Sequence, residues 1–343
     1  MSEDVQASDP IEAAAPKAKR TAETAVLFEG VSKRFGQKLA VNNTSFRIKK
    51  GSVCGLIGPN GAGKTTSFSM MAGYLNPSEG RVQVLDYSPR QLEGLRGRLG
   101  VLPQDALLPA NDRVGEFLLH MARLQGLPAD KAEQSARARL AEIEGSDWWE
   151  TRCGALSHGM AKRVAFAQAM LGEPEVVLLD EPTAGLDPRV AYEMRMSIKR
   201  LRGQCTVVIS SHNLQELEQI CDAAIVLDRG TVVAQGRMSE LTAASSEVRI
   251  TLKMSRRDQQ GNAYRIPDGE LQGPLQALGQ VGGVTAVNFE NDRNEIVINF
   301  DKKLAEAEVV IGHSLTLLLQ HQMLISGVSK GRGLEARVMD LTD

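Results

Sequence analysis

Nine consecutive residues, Gly58-Pro59-Asn60-Gly61-Ala62-Gly63-Lys64-Thr65-Thr66, match the spacing G-x-x-x-x-G-K-[ST] at every fixed position. Glycines in such a turn let successive backbone N–H groups converge on phosphate oxygens. A helix opening at the end of the run adds the positive end of its dipole. Lys64 offers a point charge to the β- and γ-phosphates, and the Thr65 hydroxyl offers a ligand to Mg²⁺. Farther along, the apolar run VVLLDE (176–181) ends in two acids. Asp180 suits the carboxylate on the Mg²⁺ side, directly or through water, and Glu181 suits a general base facing an attacking water. Adjacent acids also occur as helix-capping pairs; the phosphate loop favours chemistry.

These residues need a scaffold that brings strand ends together. The runs AVLFEGVSKRF, NTSFRIKK and SVCGLIG read as strands, and a helix is predicted over 65–72, so the glycine run lies between a strand and a helix. Residues 112–150 read as helical, with Val114, Phe117, Leu118, Met121 and Leu124 at i, i+3, i+4 spacing. Strand-like blocks then alternate with helices: VVLLDE, a helix over 188–202, TVVISS (206–211), a helix over 213–220, AAIVLDRG and TVVAQG. Short, nearly continuous apolar strands between helices indicate a buried parallel sheet. Asp180 and Glu181 then sit at its carboxyl edge, where ligands bind in α/β proteins.

After Leu241 the pattern changes. EVRITLK, a helix in LQGPLQALGQ, the pair VTAVNFE and EIVINF, a helix over 304–321 and MLISGV give the order β-α-β-β-α-β of a ferredoxin-like unit. A short helix, Leu334 to Leu341, is expected to follow. Residues 1–23, rich in Ala, Pro, Ser and charge, read as a disordered tail. The fold class is therefore α/β, a mostly parallel sheet with an antiparallel β portion and a helical portion at about 110–172. The larger α/β part spans 24–240, and a small α+β domain spans 241–343.

Across 343 residues, 40 Lys and Arg face 42 Asp and Glu, a net charge of −2, which gives no electrostatic reason to bind nucleic acid. The composition, 42% hydrophobic and 24% charged, is that of a globular chain. Cys54, Cys153, Cys205 and Cys221 form no CxxC pair and read as reduced core thiols. Met1 to Pro16 carries acids and lacks the apolar core of a secretory signal. Val309 to Ser329 has no Asp, Glu, Lys or Arg, but His313, Ser314, Gln320, His321 and Gln322 make it too polar for a span. Its Ile311, Leu315, Leu318 and Leu319 read as an amphipathic helix.

Over about residues 26–238 the sequence resembles the nucleotide-binding subunit of ATP-binding cassette (ABC) transporters. Beside the phosphate loop and the acid pair stand VLPQD (101–105), similar to the family's Q-loop with Gln104, and Leu156-Ser157-His158-Gly159-Met160, similar to its signature. AGLD (184–187) resembles the D-loop with Asp187, and ISSHN (209–213) places His212 where the family has its switch histidine. Phe35 stands where the family keeps an aromatic that stacks on adenine. Six such strings in family order carry far more weight than any one of them. The resemblance implies ATP and Mg²⁺ as cofactors, with Thr65, Gln104 and Asp180 around the metal. It also implies a homodimer of cassettes, head to tail, in which Ser157 and Gly159 of one copy meet the ATP held by the other. His212 would then hydrogen-bond the γ-phosphate. The signature departs from LSGGQ: His158 replaces a glycine, and Met160 lacks the amide that completes a capping box with Ser157.

A single cassette with a C-terminal accessory domain is similar to bacterial exporters of drugs, lipids or polymers, and GLEARVMDLTD resembles a tail common there. The implied function is an ATPase energising a membrane exporter through a separate integral permease, peripheral on the cytoplasmic face of the inner membrane. The alternative is a soluble ABC-type ATPase acting on DNA or ribosomes. It is disfavoured because the cassette is uninterrupted by a coiled coil, is single, and carries almost no net charge.

Overall fold

The computed structural model describes residues 23–211, 213–243, 247–257, 263–265 and 267–330. The first half holds β1 (Thr24–Phe35), β2 (Lys38–Lys49), β3 (Val53–Ile57), α1 (Lys64–Met71), β4 (Glu79–Val84), α2 (Leu92–Leu95), β5 (Leu99–Leu102), α3 (Val114–Leu124), α4 (Ala129–Glu142) and α5 (His158–Ala169). Next come β6 (Val176–Asp180), α6 (Pro188–Arg200), β7 (Thr206–Ser210), α7 (Leu214–Ile220), β8 (Ala223–Asp228), β9 (Thr231–Arg237) and α8 (Met238–Ala243). The remainder is β10 (Glu247–Leu252), β11 (Ser255–Arg257), β12 (Ala263–Arg265), α9 (Asp268–Leu278), β13 (Val284–Glu290), β14 (Glu295–Phe300), α10 (Ala307–Gln320) and β15 (Ile325–Lys330).

The central sheet has the order β5-β6-β7-β3-β8-β9, parallel except for the antiparallel edge strand β9. Every residue of β3, β6 and β7 is buried, as expected for strands covered on both faces. Alternate side chains divide between two cores by the period-two rule. Val53, Ile57, Val177, Leu179, Val207 and Ile209 face the helices α3 to α7. Cys54, Leu56, Val176, Leu178 and Val208 face α1 and the antiparallel sheet β2-β1-β4.

One helical expectation needs correction. The helical stretch over 112–150 is not continuous: Gly126 adopts φ +96° and Pro128 opens α4, so the chain turns between α3 and α4. Helix α5 starts at His158, because the Ser157 hydroxyl accepts the Met160 N–H at 3.3 Å and caps it. Met160 therefore leaves only the reciprocal half of the capping box unmade.

Strands β10, β13, β14 and β15 form an antiparallel sheet in the order β13-β14-β10-β15, the ferredoxin-like arrangement. The hairpin β11–β12, inserted after β10, has no counterpart in the sequence reading. Val248, Ile250, Ile296, Ile298 and Phe300 pack with Val310 and Leu318 of α10 in a core of their own. Among the described residues, no helix is long and apolar enough to cross a membrane. The tail 1–22, the expected helix 334–341 and the GLEARVMDLTD tail lie outside the described residues.

Candidate functional site

The sheet order decides which side chains meet. Strands β5, β6, β7 and β3 are parallel neighbours, with Leu102 beside Leu179, Asp180 beside Ser210, and Ser210 beside Leu56. Four chain segments therefore leave the sheet at one carboxyl edge. They carry Gln104 after β5, Asp180 and Glu181 at the end of β6, Ser210 and Ser211 at the end of β7, and the phosphate loop after β3.

The loop geometry explains its glycines. Gly58 has φ +152°, and a Cβ there would lie 2.2 Å from the Leu227 carbonyl oxygen. Gly63, the residue before α1, has φ +98°, and its Cβ would lie 2.8 Å from the Ala40 carbonyl oxygen. A side chain at either position would displace backbone. Gly61, at φ +84°, is left-handed with open space beside it. The Lys64 ammonium folds over the loop and donates to the carbonyls of Gly58 at 2.7 Å and Pro59 at 3.1 Å. Burial draws Lys64 below the ordinary lysine range, while the Glu181 and Asp180 carboxylates pull it upward. Thr65 is exposed; Thr66 is half-buried.

Asp180 and Glu181 are both buried, at 7% and 9% exposure. The Ser210 hydroxyl organises the pair: it donates to Asp180 Oδ1 and accepts the Glu181 N–H at 3.0 Å. Glu181 sits at φ +49°, a left-handed conformation that turns the chain out of β6. Such strain in a non-glycine residue costs of order 1 kcal/mol and gathers at functional sites. Burial lifts the Asp180 carboxyl above its usual range against the Ser210 hydrogen bond; Glu181 adds to the lift, and Lys162 and Lys64 oppose it. Ser210→Ala removes one partner from each acid in a buried setting, so the nucleotide-free protein is expected to lose about 1–3 kcal/mol of stability. Thermal melting measures this; an unchanged midpoint would show that the serine does not organise the pair.

Signature and D-loop residues meet beside one another. Ser157 caps α5 and Gly159 lies in its first turn, with Leu186 and Val190 next to the space a Gly159 Cβ would take. A Cβ on Gly185 would come within 2.9 Å of His158 Nε2, so the histidine that replaces a family glycine rests against the D-loop. Asp187 caps α6, accepting the Arg189 and Val190 N–H groups at 3.1 Å each. Phe35 ends β1 as a 46% exposed residue, on the hairpin whose second strand abuts Gly63. His212 lies outside the described residues.

Two connections escaped the sequence reading. Lys162 of α5 is 7% exposed and donates to the Gln104 carbonyl at 2.9 Å. Its one signal was register: Lys162 shares a helix face with Phe166 and Ala169, both buried. Glu216 of α7 accepts from Thr183 at 2.8 Å and from Arg195 at 2.6 Å, joining the segment after Glu181 to the helix after His212. The four cysteines are free and buried, and burial pushes Cys54 up to about 12, which leaves it inert.

Comparison with known proteins bears on this geometry. The family described as ABC transporter matches residues 41–184. The "Nod factor export ATP-binding protein I" of Burkholderia lata is 37% identical over 212 residues, 61% of this chain and 69% of that protein. The chain belongs to the ABC transporter ATP-binding family. The "Daunorubicin resistance ATP-binding protein DrrA3" of Streptomyces coeruleorubidus is 36% identical over 247 residues, covering 71% of this chain and 78% of that protein. A solved ATP-binding subunit of an ABC transporter superposes with a TM-score of 0.59 at 25% identity, covering 64% of this chain and 92% of its own. The cbiO1 chain of Clostridium perfringens, part of the complex cbiONQ, gives 0.57 at 28%, covering 65% and 92%. As an ABC cassette the chain is an ATPase, with ATP and Mg²⁺ as its cofactors. The site fits them: the loop is closed to side chains at Gly58 and Gly63, and the buried Glu181 and Asp180 carboxylates act electrostatically on the loop lysine.

Proposed function

We propose that this cassette is the energy-supplying subunit of a membrane exporter and that two copies pack head to tail around two ATP molecules. The observation that carries the reading is the placement of Lys64 and the two buried acids across β7 on one sheet edge. In this assignment the amides of residues 58–66 and the Lys64 ammonium hold the phosphates. Thr65, Asp180 and Gln104 would hold Mg²⁺, which would supply positive charge to neutralise the phosphates. Glu181 takes a proton from a water whose oxygen bonds to the γ-phosphorus as the bond to the bridging oxygen breaks, giving ADP and phosphate. His212 hydrogen-bonds the γ-phosphate, Phe35 stacks on the adenine, and Asp187 orders the D-loop. Ser157 and Gly159 of the second copy close the site.

Export is supported by the relatives named for Nod factor export and daunorubicin resistance. A separate integral permease supplies the pathway, and the cassette binds it from the cytoplasmic face of the inner membrane. Residues 24–240 form the cassette and 241–343 an accessory domain, a division supported by the self-contained core between Val248 and Met323. The test is affinity purification of the tagged chain from detergent-solubilised membranes. An integral membrane protein should co-purify in fixed stoichiometry, and its addition should raise ATP turnover. Recovery with ribosomes or DNA and no membrane protein would overturn the reading.

A further inference from the structure

We propose that Lys162 is a positioning residue for hydrolysis, tying the backbone of Gln104 to the helix that carries Ser157 and Gly159. The proposal rests on the assignment of Gln104 to the Mg²⁺ and γ-phosphate side of the site. Lysines are almost never this buried without partners, and Lys162 has a defined one: its ammonium donates to the Gln104 carbonyl at 2.9 Å. Burial draws Lys162 below the ordinary lysine range, and the charges of Asp105, Asp180 and Glu181 oppose that shift. One side chain of α5 thus bonds the loop after β5 and lies within electrostatic range of the acid pair at the end of β6.

The consequence is mechanical. Ser157 caps the helix and Lys162 follows five residues later, about one and a half turns on, so both move with one rigid element. The Gln104 side chain is exposed while its backbone is held, which leaves the amide free to aim into the site. A displacement of α5 therefore carries Gln104 with it. Loss of the ammonium frees the loop but leaves Gly58 to Thr66 untouched, so catalysis suffers and metal-free nucleotide binding does not.

The experiment compares wild type, Lys162→Met, Lys162→Arg, Gln104→Ala and the double variant Gln104→Ala/Lys162→Met. ATP binding in EDTA and Mg-dependent turnover are measured for each. Lys162→Met is expected to lower kcat about 10–100-fold, the scale of a misplaced catalytic group. Its ATP affinity in EDTA should stay within about twofold of wild type, since the phosphate loop is unchanged. Lys162→Arg, which keeps the donor, should retain most of kcat. The double variant should be no slower than Gln104→Ala within about threefold, because without the amide there is nothing to aim. Equal kcat in Lys162→Met and wild type, equal loss in Lys162→Arg and Lys162→Met, or multiplicative losses in the double variant would overturn the proposal. Should Lys162→Met not fold, as judged by circular dichroism, Lys162→Gln takes its place under the same criteria. Wild-type kcat in Gln104→Ala would instead overturn the reading of Gln104, a separate failure.

Discussion

Glu181→Gln should abolish most ATP turnover while leaving nucleotide binding intact. The substitution preserves volume and the backbone turn at φ +49°, and it removes the one proton acceptor placed at the end of β6 beside Asp180. Loss of a general base typically costs about 10²–10⁴ in rate. Binding should survive because Lys64, Thr65, Asp180 and the loop amides remain, and because the Ser210 hydroxyl still accepts the N–H of residue 181. Steady-state turnover together with nucleotide titration separates the two effects. Near-normal hydrolysis in the variant would exclude Glu181 as the base and direct attention to His212. Weakened binding with a proportionate loss of turnover would show that the residue holds nucleotide rather than activating water.

Lys64→Ala should be as severe, through a different step. Lys64 is the single basic residue between Gly58 and Thr66. Its ammonium already hangs over the loop on the carbonyls of Gly58 and Pro59, so little reordering separates that pose from a phosphate contact. A charge-assisted hydrogen bond is worth about 1.5–3 kcal/mol, so removing the ammonium should weaken ATP binding at least about tenfold. Turnover should fall to background, because the same charge meets the phosphate on which negative charge develops. Titration with a fluorescent nucleotide and a phosphate-release assay measure both. Wild-type affinity together with wild-type turnover would contradict the assignment of the loop.

The parts of the site that the sequence displays are those whose chemistry depends on local order. Gly58 to Thr66 lies between a strand and a helix, and Asp180 with Glu181 ends an apolar run; both patterns are contiguous and carry their own context. The parallel sheet was legible for the same reason, since β3, β6 and β7 are nearly continuous apolar runs buried at every position. What stayed hidden depends on contacts between segments far apart in the chain. Ser210 lies 30 residues from Asp180, and Lys162 lies 58 residues from Gln104. No periodicity announces such a pair. The break between α3 and α4 could have been read from Gly126 and Pro128, but the apolar spacing through Leu124 outweighed them. The hairpin β11–β12 pairs three residues on each side, too short for alternation to register.

Particle mass measures the central claim most directly, that two copies of this chain enclose ATP and part only after hydrolysing it. Light scattering coupled to size exclusion would be run on Glu181→Gln in ATP with Mg²⁺, in ADP with Mg²⁺, and without nucleotide. The account predicts a stable species of twice the 37.2 kDa chain mass in ATP alone, and reversion to the smaller species when ATP is replaced by ADP. A single mass of 37.2 kDa in all three conditions, with ATP demonstrably bound, would contradict it.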